Sequence, residues 1–340
     1  GQLQINPLVS TIDHHGILNH PFFVNSNLFF SQRQNLKYLI CFSTAGISLN
    51  NSSWPGCLAV NGKLGLKRFS FFSDKDKTGA VLAIAASKPE NVEKALKKIY
   101  EDRELEPQEK ERLWQLVKEL FSDLTIFNCP SFASQASILS ARLWKKIFPT
   151  APEVVYLPIE EITATIIVEI ITKEKDHFLH RLFFTRKGWE LVEKYFDGTL
   201  GAFTSTHKGS FLFWGIDENR RRVHLHREES RIKNQESSFE LNPENIARAL
   251  DERRLYPGSL VCFLVMLYYQ ITALGGFNQV NWLTNIKERF LALLKEMGEQ
   301  SIAQRIMDIP TTNFAEGNLE FMYQKNRLIK PSAIDLFLSG

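Results

Sequence analysis

The sequence predicts an α/β protein with a mostly parallel sheet and helical insertions. Short β-rich apolar runs at residues 8–12, 36–42 and 154–157 alternate with segments of helical periodicity, the pattern of chains that build parallel sheets. Two of the helical segments carry start signals, Pro21 in one and Asn242-Pro243-Glu244 in the other, because proline fits the first helical turn and asparagine caps it. The 340 residues, 44% hydrophobic and 23% charged, can bury a sizeable core without staples. The 26 phenylalanines point to a bulky aromatic core.

In chain order, the run at 8–12 is a strand entering a polar loop, 13–20, and Pro21 opens a helix over 22–32. The second strand is 36–42, followed by a polar turn at 50–56. Asn61-Gly62 between 57–60 and 63–72 signals a hairpin, since this dipeptide suits the two-residue turn whose twist matches the strands. Residues 81–86 read as a buried strand, and Lys88-Pro89-Glu90 starts a helix. The stretch 91–121 reads as two charged amphipathic helices broken near Pro107. A strand at 124–127, a helix at 132–148, a strand at 154–157 and helices at 159–172 and 186–196 follow. Residues 210–216 and 222–226 form a hairpin across Asp217-Glu218-Asn219. A helix runs from Asn242 to about Arg254, the apolar stretch 260–273 has helix length, and a last helix spans 280–297. The expected organisation is a first part of the core at 1–90, a helical insertion at 91–122, a second part at 123–297 and a C-terminal extension at 298–340.

Composition excludes several classes. Lysines and arginines number 41 against 38 acidic residues, a net charge of +3, without the basic excess of a nucleic-acid binder. The run Arg220-Arg221-Arg222 is too short to change that. No apolar run reaches the roughly 18 residues of a membrane span; the closest, 260–274, is interrupted by Gln270 and Thr272. The N-terminal residues show no signal-peptide pattern. The four cysteines have no CxxC spacing, and Cys41 and Cys262 lie in apolar runs that read as buried thiols. A soluble cytoplasmic protein is the expectation.

The candidate chemistry lies in two segments. Asp13-His14-His15-Gly16-Ile17-Leu18-Asn19-His20 follows a strand and precedes a helix start, the place where open α/β sheets hold ligands and where free N–H groups receive anions. Its aspartate and three histidines offer proton transfer, anion contacts or metal ligation, with helix capping as the alternative role. Gly275-Gly276-Phe277-Asn278-Gln279 precedes a helix, where paired glycines allow positive φ or close approach of a ligand, or make only a tight turn. Other histidines read as surface or packing groups. They are His224 and His226, at i and i+2 of an arginine-rich strand, and His177 and His180, at helical spacing. The turn Thr206-His207-Lys208-Gly209 is of low specificity. The helices of 91–121 present mixed charge, a solvated face or a surface for a protein partner or self-association.

Three segments together resemble the bacillithiol biosynthesis cysteine-adding enzymes, the BshC family. Thr11, Gly16 and Pro21 keep the spacing of that family's Thr-Gly-x-Gln-x-Gly-Leu-Phe-x-Gly-Pro loop. Leu241, Pro243, Arg248, Leu255 and Pro257 match its Leu-Ser-Pro…Leu-Arg-Pro…Leu-Leu-Pro segment. Gly275-Gly276 through Val280 is similar to its Gly-Gly-Pro-x-Glu-Ile turn, with Gln279 in place of glutamate. The resemblance spans about residues 8–290 and departs at Ile12-Asp13-His14, at Ser43-Thr44-Ala45-Gly46, which replaces an acidic motif, and in a longer 258–274 link. The family's long coiled-coil segment has no counterpart in the 43 residues after Met297.

The resemblance implies a Rossmann-like fold with the Asp13–His20 loop and the Gly275-to-Gln279 turn facing one cleft. It points to an enzyme forming or rearranging a C–N or C–S bond on a small polar metabolite, an amino acid or thiol conjugate. Asp13, His14 and His15 would be catalytic. Gly16, His20, Gly275 and Gly276 would hold a cofactor such as ATP or ADP, and Asn25, Asn27, Arg248, Asn278 and Gln279 would bind substrate. The alternatives are a divalent-metal enzyme using the Asp/His loop and a non-catalytic scaffold that kept the core.

Overall fold

A parallel sheet in the order β12-β1-β2-β5, within a mixed α/β chain, sets the architecture. The computed structural model describes residues 2–33, 36–203, 209–314, 321–324 and 326–339. The chain folds as two compact units, Gly1–Val9 with Ile159–Phe314 and Ser10–Pro158 with Ala315–Gly340. The passage from one to the other falls inside β1.

The chain begins with α1 (Gln2–Ile5) and β1 (Leu8–Ser10). α2 (Pro21–Arg33), β2 (Tyr38–Ser43) and the hairpin β3 (Cys57–Asn61) and β4 (Leu66–Ser70) follow. Ser10 pairs with Cys41 of β2 in parallel register. α3 (Pro89–Glu101) and α4 (Pro107–Leu120) each take proline at the first turn and bury one apolar face, Val92, Ala95 and Ile99 on the first and Leu113, Leu116, Val117 and Leu120 on the second. α5 (Phe132–Ile147) is capped by Ser131, whose hydroxyl accepts from the Ser134 amide. It leads into β5 (Glu153–Pro158), parallel to β2 from Tyr38 opposite Glu153 to Ser43 opposite Pro158.

The other unit contains α6 (Ile159–Lys173), α7 (Phe178–Phe184) and α8 (Arg186–Phe196). Short strands follow: β6 (Phe213–Ile216), β7 (Arg222–Val223), β8 (His226–Glu228), β9 (Arg231–Lys233) and β10 (Ser238–Glu240). Then come α9 (Pro243–Asp251), β11 (Leu255–Pro257), α10 (Ser259–Tyr268), β12 (Thr272–Leu274), α11 (Phe277–Glu296) and α12 (Gln300–Met307). The Asn242 side chain caps α9 by accepting from the Asn245 amide. The core of this unit holds Phe178, Phe183, Phe196, Phe213 and Phe290, all essentially out of water, which is where many of the aromatics go. β13 (Met322–Gln324), β14 (Arg327–Ile329) and α13 (Ala333–Ser339) complete the unit that contains β2 and β5.

Several sequence expectations are corrected. Residues 81–86 are not a strand but a turn at 81–84 that buries Val81, Leu82 and Ile84: the Val81 and Leu82 amides donate to the Ile47 and Ala45 carbonyls and Ile84 turns back on Ala80. Residues 124–127 lie in a 3₁₀ turn, because the Asp123 carboxylate accepts from the Thr125 amide and closes the chain locally. The apolar stretch 260–273 is divided: Gln270 takes φ +57°, ending α10, and β12 follows. α9 stops at Asp251, ahead of Arg253 at φ +57°. α11 starts at Phe277, earlier than residue 280. The first hairpin strand begins at Phe213, after Leu212 at φ +59°.

The four cysteines are free thiols. Among the described residues, no helix is long and apolar enough to cross a membrane. Truncating Phe290 to alanine should lower stability by about 3–5 kcal/mol, the range for a large aromatic removed from a core; urea denaturation checks this.

Candidate functional site

The loop after β1 continues the pairing of the sheet beyond its strands. The Thr44 amide donates to the Asp13 carbonyl and the His15 amide to the Thr44 carbonyl, so His14 bridges Thr44 in parallel register. The extended backbone sends neighbouring side chains to opposite sides, and this splits the histidine doublet. His15 is fully buried, lies flat on Tyr156 with ring centroids 4.9 Å apart, and uses both nitrogens. Its Nε2 donates to the Ala133 carbonyl at 2.8 Å, so its Nδ1 accepts from the Ser43 hydroxyl at 2.6 Å. Burial pulls its pKa down to about 4, so it is neutral at physiological pH.

His14 is half-buried on the other side. Its Nδ1 lies 3.2 Å from both Asn51 Oδ1 and Ser53 Oγ. Asn51 Oδ1 also accepts from the Ser53 amide and hydroxyl, which identifies it as the carbonyl oxygen. The His14 proton therefore sits on Nδ1, and Nε2 presents a lone pair with no hydrogen-bond partner among the described residues. Burial lowers this pKa as well, so the imidazole stands as a neutral base.

Asp13 is removed from water. Its Oδ2 accepts from Asn27 Nδ2 at 2.8 Å, while Asn27 Oδ1 accepts from the Ser10 hydroxyl at 2.7 Å. Its Oδ1 is buried without a partner. Burial outweighs the Asn27 and Cys41 hydrogen bonds and pushes the carboxyl up to about 7. The thiol of Cys41, beside it, is raised well above its ordinary range by burial and then by the Asp13 charge.

Gly16 is required by close approach: a Cβ there would lie 2.4 Å from the Cα of Pro55, and the Ile17 amide donates to the Pro55 carbonyl. Asn19 donates to the Ile17 and Cys57 carbonyls and accepts from the Ala59 amide. The Ser140 hydroxyl accepts from the Leu18 amide and donates to the Gly16 carbonyl. His20 sits against Phe23 and Trp54 with a buried, partnerless Nδ1, and burial, then the neighbouring His14, Arg68 and Lys330, pull its pKa to about 4. Asn25 Nδ2 and Ser26 Oγ, buried on α2, also lack partners. The segment 13–26 thus holds Asp13 Oδ1, His20 Nδ1, Asn25 Nδ2 and Ser26 Oγ, four such atoms in 14 residues. Such groups ordinarily find partners in a protein or its ligands.

The remaining site residues lie in the other unit. Gly275 and Gly276 do not use positive φ. A Cβ at Gly275 would fall 2.0 Å from the end of the Gln279 side chain, which would have to move aside. Gln279 is buried, Asn278 is exposed, and Arg248 is exposed with its guanidinium on Asn245.

Among the histidines outside the loop, His177 caps α7, lies tilted against Phe178 and meets Tyr268 edge-on. His180 meets Phe184 edge-on. His224 and His226 do not share a strand: His224 falls between β7 and β8 against Trp214. His207 lies outside the described residues.

No group of three His, Cys, Asp or Glu side chains among the described residues is placed to hold a metal ion. In the loop the reason is visible, since both His15 nitrogens and Asp13 Oδ2 are already engaged. The orienting partners Asn51, Ser53, Ser43 and Tyr156, whose hydroxyl donates to the His14 carbonyl, carried no signal beyond a polar turn and two strands. In the other unit, Tyr256 pairs with Trp214 across β11 and β6, and Arg222 lies 4.0 Å over the Trp214 ring.

Compared with known protein families and with curated proteins, the chain gives no match.

The Asp13 carboxyl yields a pH prediction. Its folded pKa, about 7, lies above its ordinary 3.8. The stability it contributes is therefore complete below the ordinary value and is lost as pH rises through the folded one. Between pH 4 and 7 wild type should lose about 3 kcal/mol relative to Asp13→Asn, which has no such proton to release. Urea titrations of both proteins across that range, in which the other ionising groups cancel, check the difference.

Proposed function

We propose that the chain is an enzyme of the kind its resemblance implies, joining or rearranging a C–N or C–S bond on a small polar metabolite such as an amino acid or thiol conjugate. The observation that carries this is the state of His14: one ring nitrogen fixed by Asn51 and Ser53, the other without a protein partner. It lies past the ends of parallel strands, where α/β folds gather ligands. A neutral imidazole oriented in this way suits a general base, taking the proton of an attacking amine or thiol at Nε2.

Asp13 and His15 act in this reading as positioning residues. His15 anchors the backbone to Ser43 and Ala133, and Asp13 holds Asn27. Asn25, Ser26 and His20 supply unused polar groups on the same segment. Arg248, Gly275, Gly276, Asn278 and Gln279 keep the substrate and cofactor roles that the resemblance implies, with ATP or ADP as the cofactor.

A mass-spectrometric screen pairing amino acids and thiols with carboxylated and amino-sugar metabolites, with and without ATP, tests the reading. Wild type should give a condensed or rearranged product. His14→Ala should lower its rate by about 10²–10⁴-fold, the usual contribution of a positioned base, with an unchanged melting temperature. Absence of product from every pair, or full activity in His14→Ala, overturns the assignment.

A further inference from the structure

We propose that Arg68, Lys330 and His20 form a binding site for a phosphate group. The proposal rests on the reading that the 13–20 loop lines a functional site, and it names an anionic group that the site would take.

Ala59 in β3 brings the three together. Arg68 is its register partner on β4. Its amide donates to Asn19, the residue before His20, and its carbonyl accepts from Ser332, two residues after Lys330. Asn61, two residues along β3, donates to the Lys330 carbonyl. Trp54 joins two of the side chains, with its ring 4.7 Å from that of His20 and the Arg68 guanidinium 5.2 Å from its centre on the other contact.

Both charged side chains of the site are cations, and the nearby buried Asp335 carboxylate is already taken up by Asn61 and Ser332. Arg68 and Lys330 are both exposed, and neither forms an ion pair or hydrogen bond through its side chain with a described residue. Lys67 on the same strand, by contrast, is half-buried and pairs with Asp102 and Glu104. His20 lies in the field of both cations and of His14, and its Nε2 has no hydrogen-bond partner among the described residues. A guanidinium fork, an ammonium point charge and a ring N–H arriving from three separate segments suit a tetrahedral dianion better than a flat carboxylate. The start of α2 immediately after His20 adds a favourable dipole.

Calorimetry with inorganic phosphate at constant ionic strength and pH 7.5 tests the site. Wild type should bind saturably. Arg68→Ala and Lys330→Ala should each weaken binding by about tenfold, in line with the loss of a charge-assisted contact, and the double variant should abolish it. Lys75→Ala, which removes an exposed cation elsewhere, should bind as wild type does. Acetate at equal ionic strength should bind more weakly than phosphate. No saturable binding by wild type, equal binding by the double variant, or acetate binding as tightly as phosphate overturns the proposal. Because binding is read without turnover, its failure is distinct from failure of the His14 assignment: a protein can bind phosphate here and form no product, or the reverse.

Discussion

The loop after β1 must satisfy its own backbone away from water, and the way it does so fixes much of its unit. A buried amide or carbonyl without a partner costs as much as a lost hydrogen bond. Residues 13–19 avoid that cost by pairing their backbone with Thr44 after β2, Pro55 before β3, Ser140 on α5, Tyr156 on β5 and Ala333 on α13. Gly16 lets the chain pass against Pro55. Moving any of these elements would strand polar groups in the interior, so the same hydrogen bonds that close the loop also hold the hairpin and helix around it.

That closure decides which side chains are available for chemistry. Those drawn inward are neutral or pushed toward neutrality: His15 by a lowered pKa, Asp13 and Cys41 by raised ones. Desolvation is the first cause in each case, as expected where no opposite charge accompanies a buried group. Those on the outer side, His14 and His20, are only half-buried, and His20 lies near the cations Arg68 and Lys330. The segment therefore has an inner side of groups pushed toward neutrality and an outer side that carries the half-buried His14 and His20.

The fold was legible where local signals and tertiary demand agree. Proline at the first turn marked α2, α3 and α9, Asn61-Gly62 marked the β3–β4 hairpin, and the apolar runs of β2 and β5 marked the parallel pair. It was not legible where apolar content alone stood for a strand. Val81, Leu82 and Ile84 are as buried as strand residues but spend their amides on 45–47 and on their own turn. Burial requires apolar side chains in either case, and only the destination of the backbone hydrogen bonds separates them.

In the 13–20 loop the sequence singled out a segment but could not separate its two adjacent histidines. His14 and His15 are the same residue type, adjacent in the same loop, and composition treats them alike. Their difference comes from Thr44, which holds the backbone extended, so that alternate side chains must point opposite ways. Tyr156 and Ser43 then receive one ring and Asn51 with Ser53 the other. Arg68 and Lys330 were invisible for a related reason: they lie 262 positions apart in the sequence, and only the pairing of both segments with β3 makes them neighbours. A chemical role here belongs to a side chain only after long-range backbone pairing has chosen its direction.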